Sequence, residues 1–189
     1  MSTPSTPSTP SGPFTPSPGD ISWLDQSDAM VTANVRRYGI HITFVGSGCD
    51  RPGCTCEDSG PAFAYTTGYF GLNHPELLMF GPSATACGRI FNELLTLVIR
   101  GQDLLPGQLV DLAELDVTPA ITDMPLLYVE QVPNPGEIVF EANRFYQRPR
   151  EASVPVYQLT RCDNEHRSPW DDGCTIPLSE QPRPGTFRA

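Results

Sequence analysis

Residues 61–81, PAFAYTTGYFGLNHPELLMFG, constrain the fold of this chain more strongly than any other segment. Two apolar, aromatic-rich runs flank a short polar turn that contains a histidine, a proline and a glutamate. Runs of this length bounded by glycines are typical of β-strands, here over residues 62–69 and 76–80. We therefore expect two neighbouring strands, with the chemistry of the domain concentrated where they join.

The first of these predicted strands brings aromatic and hydroxyl groups together. Side chains alternate between the two faces of a strand, so we expect Tyr65, Thr67 and Tyr69 on one face and Thr66 on the other. The first face would offer rings for stacking and hydroxyls for hydrogen bonds. Such a face suits a small ligand or a segment of a partner protein.

The turn between the strands places His74 two residues from Glu76, across a proline that fixes the backbone angle φ. An imidazole and a carboxylate at this spacing can transfer protons or bind a ligand that needs one donor and one acceptor. The alternative is structural: both side chains would form hydrogen bonds with the turn and a neighbouring helix and hold the strands in register. The sequence leaves these alternatives open.

Hydrophobic periodicity and turn residues predict an α+β fold. The predicted helices cover residues 22–38, 83–101 and 141–147, and the predicted strands cover 41–45, 62–69, 76–80, 126–132 and 154–161. Strands that follow one another after short loops favour antiparallel pairing. We therefore expect a small, mostly antiparallel sheet with two or three helices covering one face.

The chain divides into a tail and one domain. Residues 1–19 consist of Ser, Thr, Pro and Gly apart from Met1 and one phenylalanine, a composition that cannot bury enough apolar surface to fold. We predict a disordered tail over 1–19 and a single domain over 20–189, since 189 residues with 39% apolar content suit one core.

Charge and composition narrow the range of partners. The chain carries 22 acidic and 12 basic residues, for a net charge of −10, which disfavours a nucleic-acid groove. All basic residues are arginine, which excludes a Schiff-base or P-loop lysine and is typical of a GC-rich coding genome such as that of an actinobacterium or its phage. Neither a signal-peptide pattern nor an apolar run of membrane-spanning length is present, so we expect a cytoplasmic protein without membrane contact.

Four segments, YGIHITFV, FAYTTGYFGLNHPELLMFG, FNELLTLVIRG and VYQLTRCDNEHRSPWDDG, resemble in order and spacing the bacterial domain of unknown function family numbered 4262. The resemblance covers roughly residues 30–185 and implies no activity. It draws attention to Asn92 in the second helix and to Asp163 and Trp170 near the end of the chain as candidate ligand-binding residues. This chain departs from the family pattern in a Cys-rich insertion after the first strand and at TRCD, where an apolar-Trp-Pro-Asp run is more usual.

The Cys-rich insertion suggests a metal site. Cys49, Cys54 and Cys56 lie within eight residues, and a cytoplasmic chain rarely keeps structural disulfides. Zinc takes four such ligands, and Cys162 is the predicted fourth, with His166 or Cys174 as alternatives. The spacing C-x4-C-x-C differs from the usual C-x2-C knuckle, so a redox-active loop or free thiols remain open.

We expect a domain that binds a small ligand or a protein through the AYTTG strand and the HPE turn. The candidate binding residues are Tyr65, Thr66, Thr67, Tyr69, His74, Glu76, Asn92, Asp163 and Trp170. The alternative is a small hydrolytic or flavin-type redox enzyme with His74 and Glu76 as its acid/base pair, or a thiol enzyme in which Cys56 or Cys162 meets His41 or His74. A flavin is disfavoured because no cluster of basic residues is present for its phosphate.

Overall fold

The computed structural model describes residues 17–46, 60–115 and 126–185, and within these ranges the chain forms three α-helices and six β-strands. The helices are α1 (Pro18–Tyr38), α2 (Ala84–Ile99) and α3 (Phe140–Phe145). The strands are β1 (His41–Val45), β2 (Phe63–Thr67), β3 (Glu76–Phe80), β4 (Leu109–Asp111), β5 (Leu126–Gln131) and β6 (Val156–Arg161). None of the helices in these ranges is both long and apolar enough to cross a membrane.

The strands form one sheet in the order β1-β2-β3-β6-β5-β4. Every neighbouring pair is antiparallel except β3 and β6, which run parallel at the centre of the sheet. Their parallel pairing requires a long connection, and α2, β4, β5 and α3 all lie within it. The predicted α+β class and the mostly antiparallel sheet are confirmed.

Helices lie on both faces of the sheet, so the expectation that they cover one face is wrong. α2 packs Ile90, Phe91 and Leu94 onto one face, whereas α3 packs Ala142 onto the other. The physical reason is visible in β3, whose five residues are all buried. A strand without an exposed face needs apolar cover on both sides.

The first helix begins four residues earlier than predicted, because a capping box forms ahead of it. The Ser17 hydroxyl accepts from the Asp20 N–H, and the Asp20 side chain accepts from the Ser17 N–H at 2.9 Å. Pro18 occupies the first turn, where its missing N–H leaves no bond unmade. Residues 17–19 therefore belong to the start of α1, and residues 1–16 of the predicted tail lie outside the described ranges.

The second strand ends at Thr67 because the chain turns sharply at Gly68. Its φ of 142° is accessible to glycine, and a Cβ at this position would lie 2.4 Å from the Gly39 carbonyl oxygen. Tyr69 then begins a single 3₁₀ turn and packs among the core residues beneath α2. Tyr65 belongs to the cluster on the opposite face, beside α3, so the prediction that these two tyrosines share a face is wrong.

Candidate functional site

Glu76 is completely buried at the start of β3, and protein groups surround its carboxylate. Oε1 accepts hydrogen bonds from the Gly68 N–H at 2.8 Å and the Phe70 N–H at 3.0 Å. Oε2 accepts from the Thr66 hydroxyl at 2.6 Å and the Tyr69 N–H at 3.3 Å. We call this arrangement the Glu76 cradle. It provides an acceptor for three successive backbone N–H groups where the chain leaves β2.

The cradle also maintains the ladder between β2 and β3. Past the Tyr65 and Leu78 pair, the Thr66 hydroxyl accepts from the Leu77 N–H at 2.9 Å and so stands in for a backbone carbonyl. Burial raises the pKa of Glu76, and its hydrogen bonds with Thr66 and the turn act in the opposite direction. The carboxylate thus holds the end of β2 against β3.

Both ring nitrogens of His74 are also bonded to backbone groups. Nδ1 lies 2.7 Å from the Pro75 carbonyl oxygen and donates to it, while Nε2 accepts from the Leu104 N–H at 3.2 Å. This pattern requires the neutral tautomer with its proton on Nδ1. Burial lowers the pKa of His74, which favours the same neutral form. His74 and Glu76 therefore have separate partners in the structure, and each connects the HPE turn to a different part of the fold.

A second carboxylate lies on the opposite side of β2 from α2, where α1, β1 and α3 meet. Glu141 of α3 accepts from the Ser27 hydroxyl of α1 at 2.8 Å and from the Thr43 hydroxyl of β1. His41 Nε2 lies 3.6 Å from the same carboxylate, and Arg144 Nη2 lies 3.7 Å from it. We call Ser27, His41, Thr43, Glu141 and Arg144 the Glu141 cluster.

Electrostatics in this cluster favour the ionised carboxylate. Interaction with His41, supported by the hydroxyls of Thr43 and Ser27, outweighs burial and lowers the pKa of Glu141 to about 2. The other ring nitrogen of His41, Nδ1, accepts from the Asn34 side-chain amide at 2.9 Å. The imidazole thus lies between Asn34 at Nδ1 and the Glu141 carboxylate on the side of Nε2.

A shallow groove of about 280 Å³ opens beside this histidine. Its lining residues are Asn34, Tyr38, Ile40, His41, Ile42 and Asn92. Asn92 lies on α2 and is exposed, and its amide donates to the Gly88 carbonyl at 2.6 Å. The groove therefore brings Asn92, a predicted binding residue, close to His41, which was not among the predicted binding residues.

A family model, described as a domain of unknown function (DUF4262), matches residues 34–175. The chain belongs to the DUF4262 family. The matched range includes the Glu76 cradle, the groove and every member of the Glu141 cluster except Ser27. No curated protein and no solved structure matches the chain.

Two residues of the AYTTG strand of this DUF4262 domain, Tyr65 and Thr67, lie next to the Glu141 cluster. Tyr65 and Thr67 are the cross-strand partners of Thr43 and His41. The Tyr65 hydroxyl accepts from the Glu141 N–H at 3.3 Å. The Thr67 hydroxyl is fully buried and has no hydrogen-bond partner in the described part of the chain. Tyr65 and Thr67 therefore lie on the cluster side of the sheet, while Thr66 and Tyr69 bond to the cradle.

The predicted residue Asp163 organises the loop that follows β6. Its carboxylate accepts from the N–H groups of Glu165, Arg167 and Thr175, and from the Arg167 guanidinium at 3.0 Å. Burial acts to raise the pKa of Asp163, but these donors together hold it well below its ordinary range. In the structure Asp163 ties the C-terminal segment to the end of the sheet.

Trp170 lies in the same segment and packs against β5. Its ring meets Tyr128 edge to face at 5.2 Å between ring centroids, and the Arg183 guanidinium lies 4.2 Å from the ring centroid. The described contacts of Trp170 thus belong to the attachment of the C-terminal segment to the sheet.

Only some of the predicted zinc ligands lie in the part of the chain that the structure describes. Cys49, Cys54 and Cys56 lie outside it, whereas Cys162 is buried with its sulfur 3.8 Å from the Ser168 hydroxyl. Burial raises the pKa of the Cys162 thiol. Cys174 is half-buried and His166 is exposed. No group of three or more His, Cys, Asp or Glu residues within the described ranges is arranged to hold a metal ion, so a site completed by the Cys loop stays a prediction.

The Glu141 cluster is the part of the candidate site that sequence reasoning missed. Its hydroxyl donors, Ser27 and Thr43, lie 114 and 98 residues from Glu141 along the chain. One local signal was present: in the strand HITFV, His41 and Thr43 alternate with apolar residues and mark a polar face. Finding their partner required knowing where α3 packs.

Proposed function

We propose that this DUF4262 protein is a binding domain that takes a small, uncharged, planar ligand in the groove beside His41. The residues that line this groove support the proposal. Ile40 and Ile42 supply apolar contacts, Tyr38 supplies a ring, and the amides of Asn34 and Asn92 supply polar groups. Ligand sites of this kind combine apolar contact area with a few fixed polar groups.

The charge of the lining supports the choice of an uncharged ligand. No aspartate, glutamate or arginine is among the six lining residues. The carboxylate of Glu141 contacts His41 from the side of α3 and fixes its ring. A planar molecule with an amide edge would find both hydrogen-bond donors and acceptors here without having to neutralise a buried charge.

Benzamide is a suitable probe because it is planar, uncharged and carries one amide. In ¹H–¹⁵N correlation spectra of the full chain, we expect saturable shifts for the backbone amides of residues 38–42 and 92. Benzoate has the same shape and a negative charge, and it should bind at least tenfold more weakly. Shifts confined to residues outside the groove would contradict the proposal.

Two matched variants sharpen this test. Tyr38 and Phe140 are exposed aromatic residues of nearly equal exposure, 57% and 56%, but only Tyr38 lines the groove. Tyr38→Ala should weaken benzamide binding about tenfold, the effect of about 1.4 kcal/mol of lost contact. Phe140→Ala should leave it unchanged. Equal effects of the two substitutions would indicate nonspecific binding.

The enzymatic alternative is less well supported by the contacts of its proposed acid and base. His74 and Glu76 are each bonded to groups of the fold and would have to break those bonds to act on a substrate. The His41 and Glu141 pair has the arrangement of an oriented imidazole, but Asn34 occupies its Nδ1. These contacts are the reason to place binding ahead of catalysis.

Zinc in the Cys loop remains a separate part of the proposal. Elemental analysis of the purified chain should find about one zinc per molecule if Cys49, Cys54 and Cys56 are ligands. A Cys54→Ser, Cys56→Ser double variant that kept its metal content and stability would contradict a zinc site. An absorbance scan of the same sample would reveal a flavin.

A further inference from the structure

The two edge strands of the described sheet differ in how they are protected from pairing with other strands. β4 has only three residues, and its last is Asp111. β1 has five residues, HITFV, without Asp, Glu, Arg or Pro. Exposed edges are normally shortened, charged or interrupted by proline, because their free backbone groups attract other strands. β1 lacks these features, and its Phe44 is 41% exposed.

An apolar flank of α1, formed by the exposed Trp23 and Met30, lies on a helix that contacts β1. Asp28 of α1 binds Arg144 of α3 at 2.6 Å, which fixes the side of the helix that faces α3. At about 100° per residue, Trp23 and Met30 lie roughly 140–160° round the helix from Asp28, and Ser27, which bonds Glu141 of α3, lies between the two sides. Asn34 contacts His41 at the start of β1. Trp23, 66% exposed, and Met30 are thus directed away from Asp28 and α3, on the helix beside β1, which has no second neighbouring strand among the described residues.

We propose that the β1 edge and the apolar flank of α1 form a two-fold interface with a second copy of this chain. In this interface β1 pairs antiparallel with β1 of the partner subunit, centred on Thr43. Ile42 then lies opposite Phe44 of the partner subunit, and His41 lies opposite Val45 of the partner subunit. None of the five residues of β1 carries a carboxylate or a guanidinium, so the strand itself can pair with its own copy, as a two-fold interface requires. The carboxylate nearest to the centre of the pairing is that of Glu141, which is bonded to Thr43 within its own subunit.

The size of the surface also favours a second folded copy over a short peptide. A five-residue strand is about 17 Å long, and added alone it supplies only a few backbone hydrogen bonds. Stable dimers bury roughly 800 Å² on each partner. A second copy would bring its own α1 flank, so that Trp23 and Met30 of both subunits add apolar area to the strand pair.

The same pairing would bring the two copies together at the groove. Ile42 lines the groove, and in the paired arrangement Phe44 of the partner subunit lies next to it. The interface does not depend on the proposed ligand, because it rests on the edge strand and α1 alone. Loss of benzamide binding with an intact dimer, or the reverse, separates the two proposals.

Sedimentation equilibrium of the full chain over a range of concentrations tests the interface. We expect a mass approaching twice the 20.7 kDa of the chain. Phe44→Lys places a cation beside the partner's apolar strand and should raise the dimer dissociation constant at least tenfold. Leu109→Lys on β4, 52% exposed on the opposite edge, is the matched control and should leave the constant unchanged.

A second variant guards against the possibility that Phe44→Lys unfolds the chain. Met30→Lys changes an exposed position of α1 that contributes nothing to the core clusters of the sheet, and it should also weaken the dimer at least tenfold. Circular dichroism and thermal melting would verify that each variant is folded. A monomer at every concentration, or a dimer that neither Phe44→Lys nor Met30→Lys weakens, would overturn the proposal.

Discussion

Two glutamates of this domain have similar numbers of partners and opposite environments. Glu76 is fully buried, and three of its four donors are backbone N–H groups from within eight residues. Glu141 is partly exposed, and its hydrogen-bond donors are side chains brought from the distant elements α1 and β1. A carboxylate bonded to backbone groups fixes the local path of the chain, whereas one bonded to side chains of α1 and β1 fixes how those elements pack against α3.

The pKa values of the two glutamates shift in opposite directions, as their environments lead one to expect. Burial dominates at Glu76 and raises its pKa. At Glu141 the neighbouring imidazole and hydroxyls dominate and lower its pKa to about 2. In the structure the Glu76 carboxylate of the HPE turn bonds the adjoining backbone, whereas the Glu141 carboxylate bonds side chains of a separate strand and helix.

Removing the Glu76 carboxylate should have the largest effect on stability. Glu76→Ala leaves three backbone N–H groups and the Thr66 hydroxyl buried without their acceptor. Each buried unpaired donor costs about 1–3 kcal/mol, so we expect a loss of roughly 4 kcal/mol or more in the free energy of unfolding. Urea denaturation measures this loss.

Glu114→Gln is the control for this variant because Glu114 is exposed, and its effect should stay within about 0.5 kcal/mol. Glu76→Gln keeps one acceptor oxygen and should lose less stability than Glu76→Ala. An alanine variant as stable as the parent would show that the cradle does not hold the β2 end, and it would remove the contrast between the two glutamates.

His74→Ala should have the next largest effect. The substitution deprives the Leu104 N–H and the Pro75 carbonyl of their partner, for a loss of about 1–3 kcal/mol. Benzamide affinity should not change, because His74 does not line the groove. Calorimetric titration and urea denaturation separate the two effects, and a changed affinity in a variant of unchanged stability would return the binding site to the HPE turn.

The lowered pKa of His74 adds a pH dependence with a definite sign. The folded state favours the neutral form of His74, so the pKa of His74 is lower in the folded protein than in the unfolded chain, where it is about 6.5. The contribution of His74 is therefore present above about pH 6.5 and is lost as the pH falls toward the lowered value. His74→Ala should flatten the stability curve in that window.

Glu141→Gln should have a smaller effect and a different pH window. The folded pKa of about 2 lies below that of an unfolded glutamate, near 4.3. The stabilisation is thus present above about pH 4.3 and disappears as the pH falls toward 2. We expect a loss of about 1–2 kcal/mol at neutral pH from weaker charge-assisted hydrogen bonds. Urea denaturation across this pH range should show the loss shrinking toward pH 2, and a constant difference would contradict the assignment.

The parts of the fold set by local sequence could be predicted. The apolar stripe of α2 and the Ser83 cap predict that helix, and the first three strands follow from their apolar runs. The capping box at Ser17 lies in a Ser/Pro-rich stretch whose composition hides a helix start. The continuous apolar run of β3 indicates cover on both faces of the sheet, but which helices supply that cover depends on where they pack, which no local pattern encodes.

In the candidate site, too, the surroundings of Glu76 could be predicted from local sequence, whereas the contact between Glu141 and His41 could not. A glutamate that opens the fully apolar run LLMF indicates a buried carboxylate, and a buried carboxylate needs donors nearby. The structural alternative for His74 and Glu76, hydrogen bonds that hold the strands in register, named this role but not the donors. Glu141 meets His41 because α3 packs against α1, which in turn packs against β1, and these contacts join residues about a hundred positions apart in the chain.

Asn92→Ala should have the smallest effect on stability and therefore gives the sharpest test of the contrast. Asn92 is exposed, and its amide bonds only the preceding turn of its own helix. Alanine is the better helix former, so the free energy of unfolding should change by less than about 0.5 kcal/mol. If the groove is the binding site, benzamide affinity should still fall about threefold to tenfold, because a polar group of the lining is lost.

Thr96→Ala, one turn further along α2 and outside the groove lining, should leave affinity unchanged. Unchanged affinity in Asn92→Ala would mean that α2 takes no part in binding and would confine any site to α1 and β1.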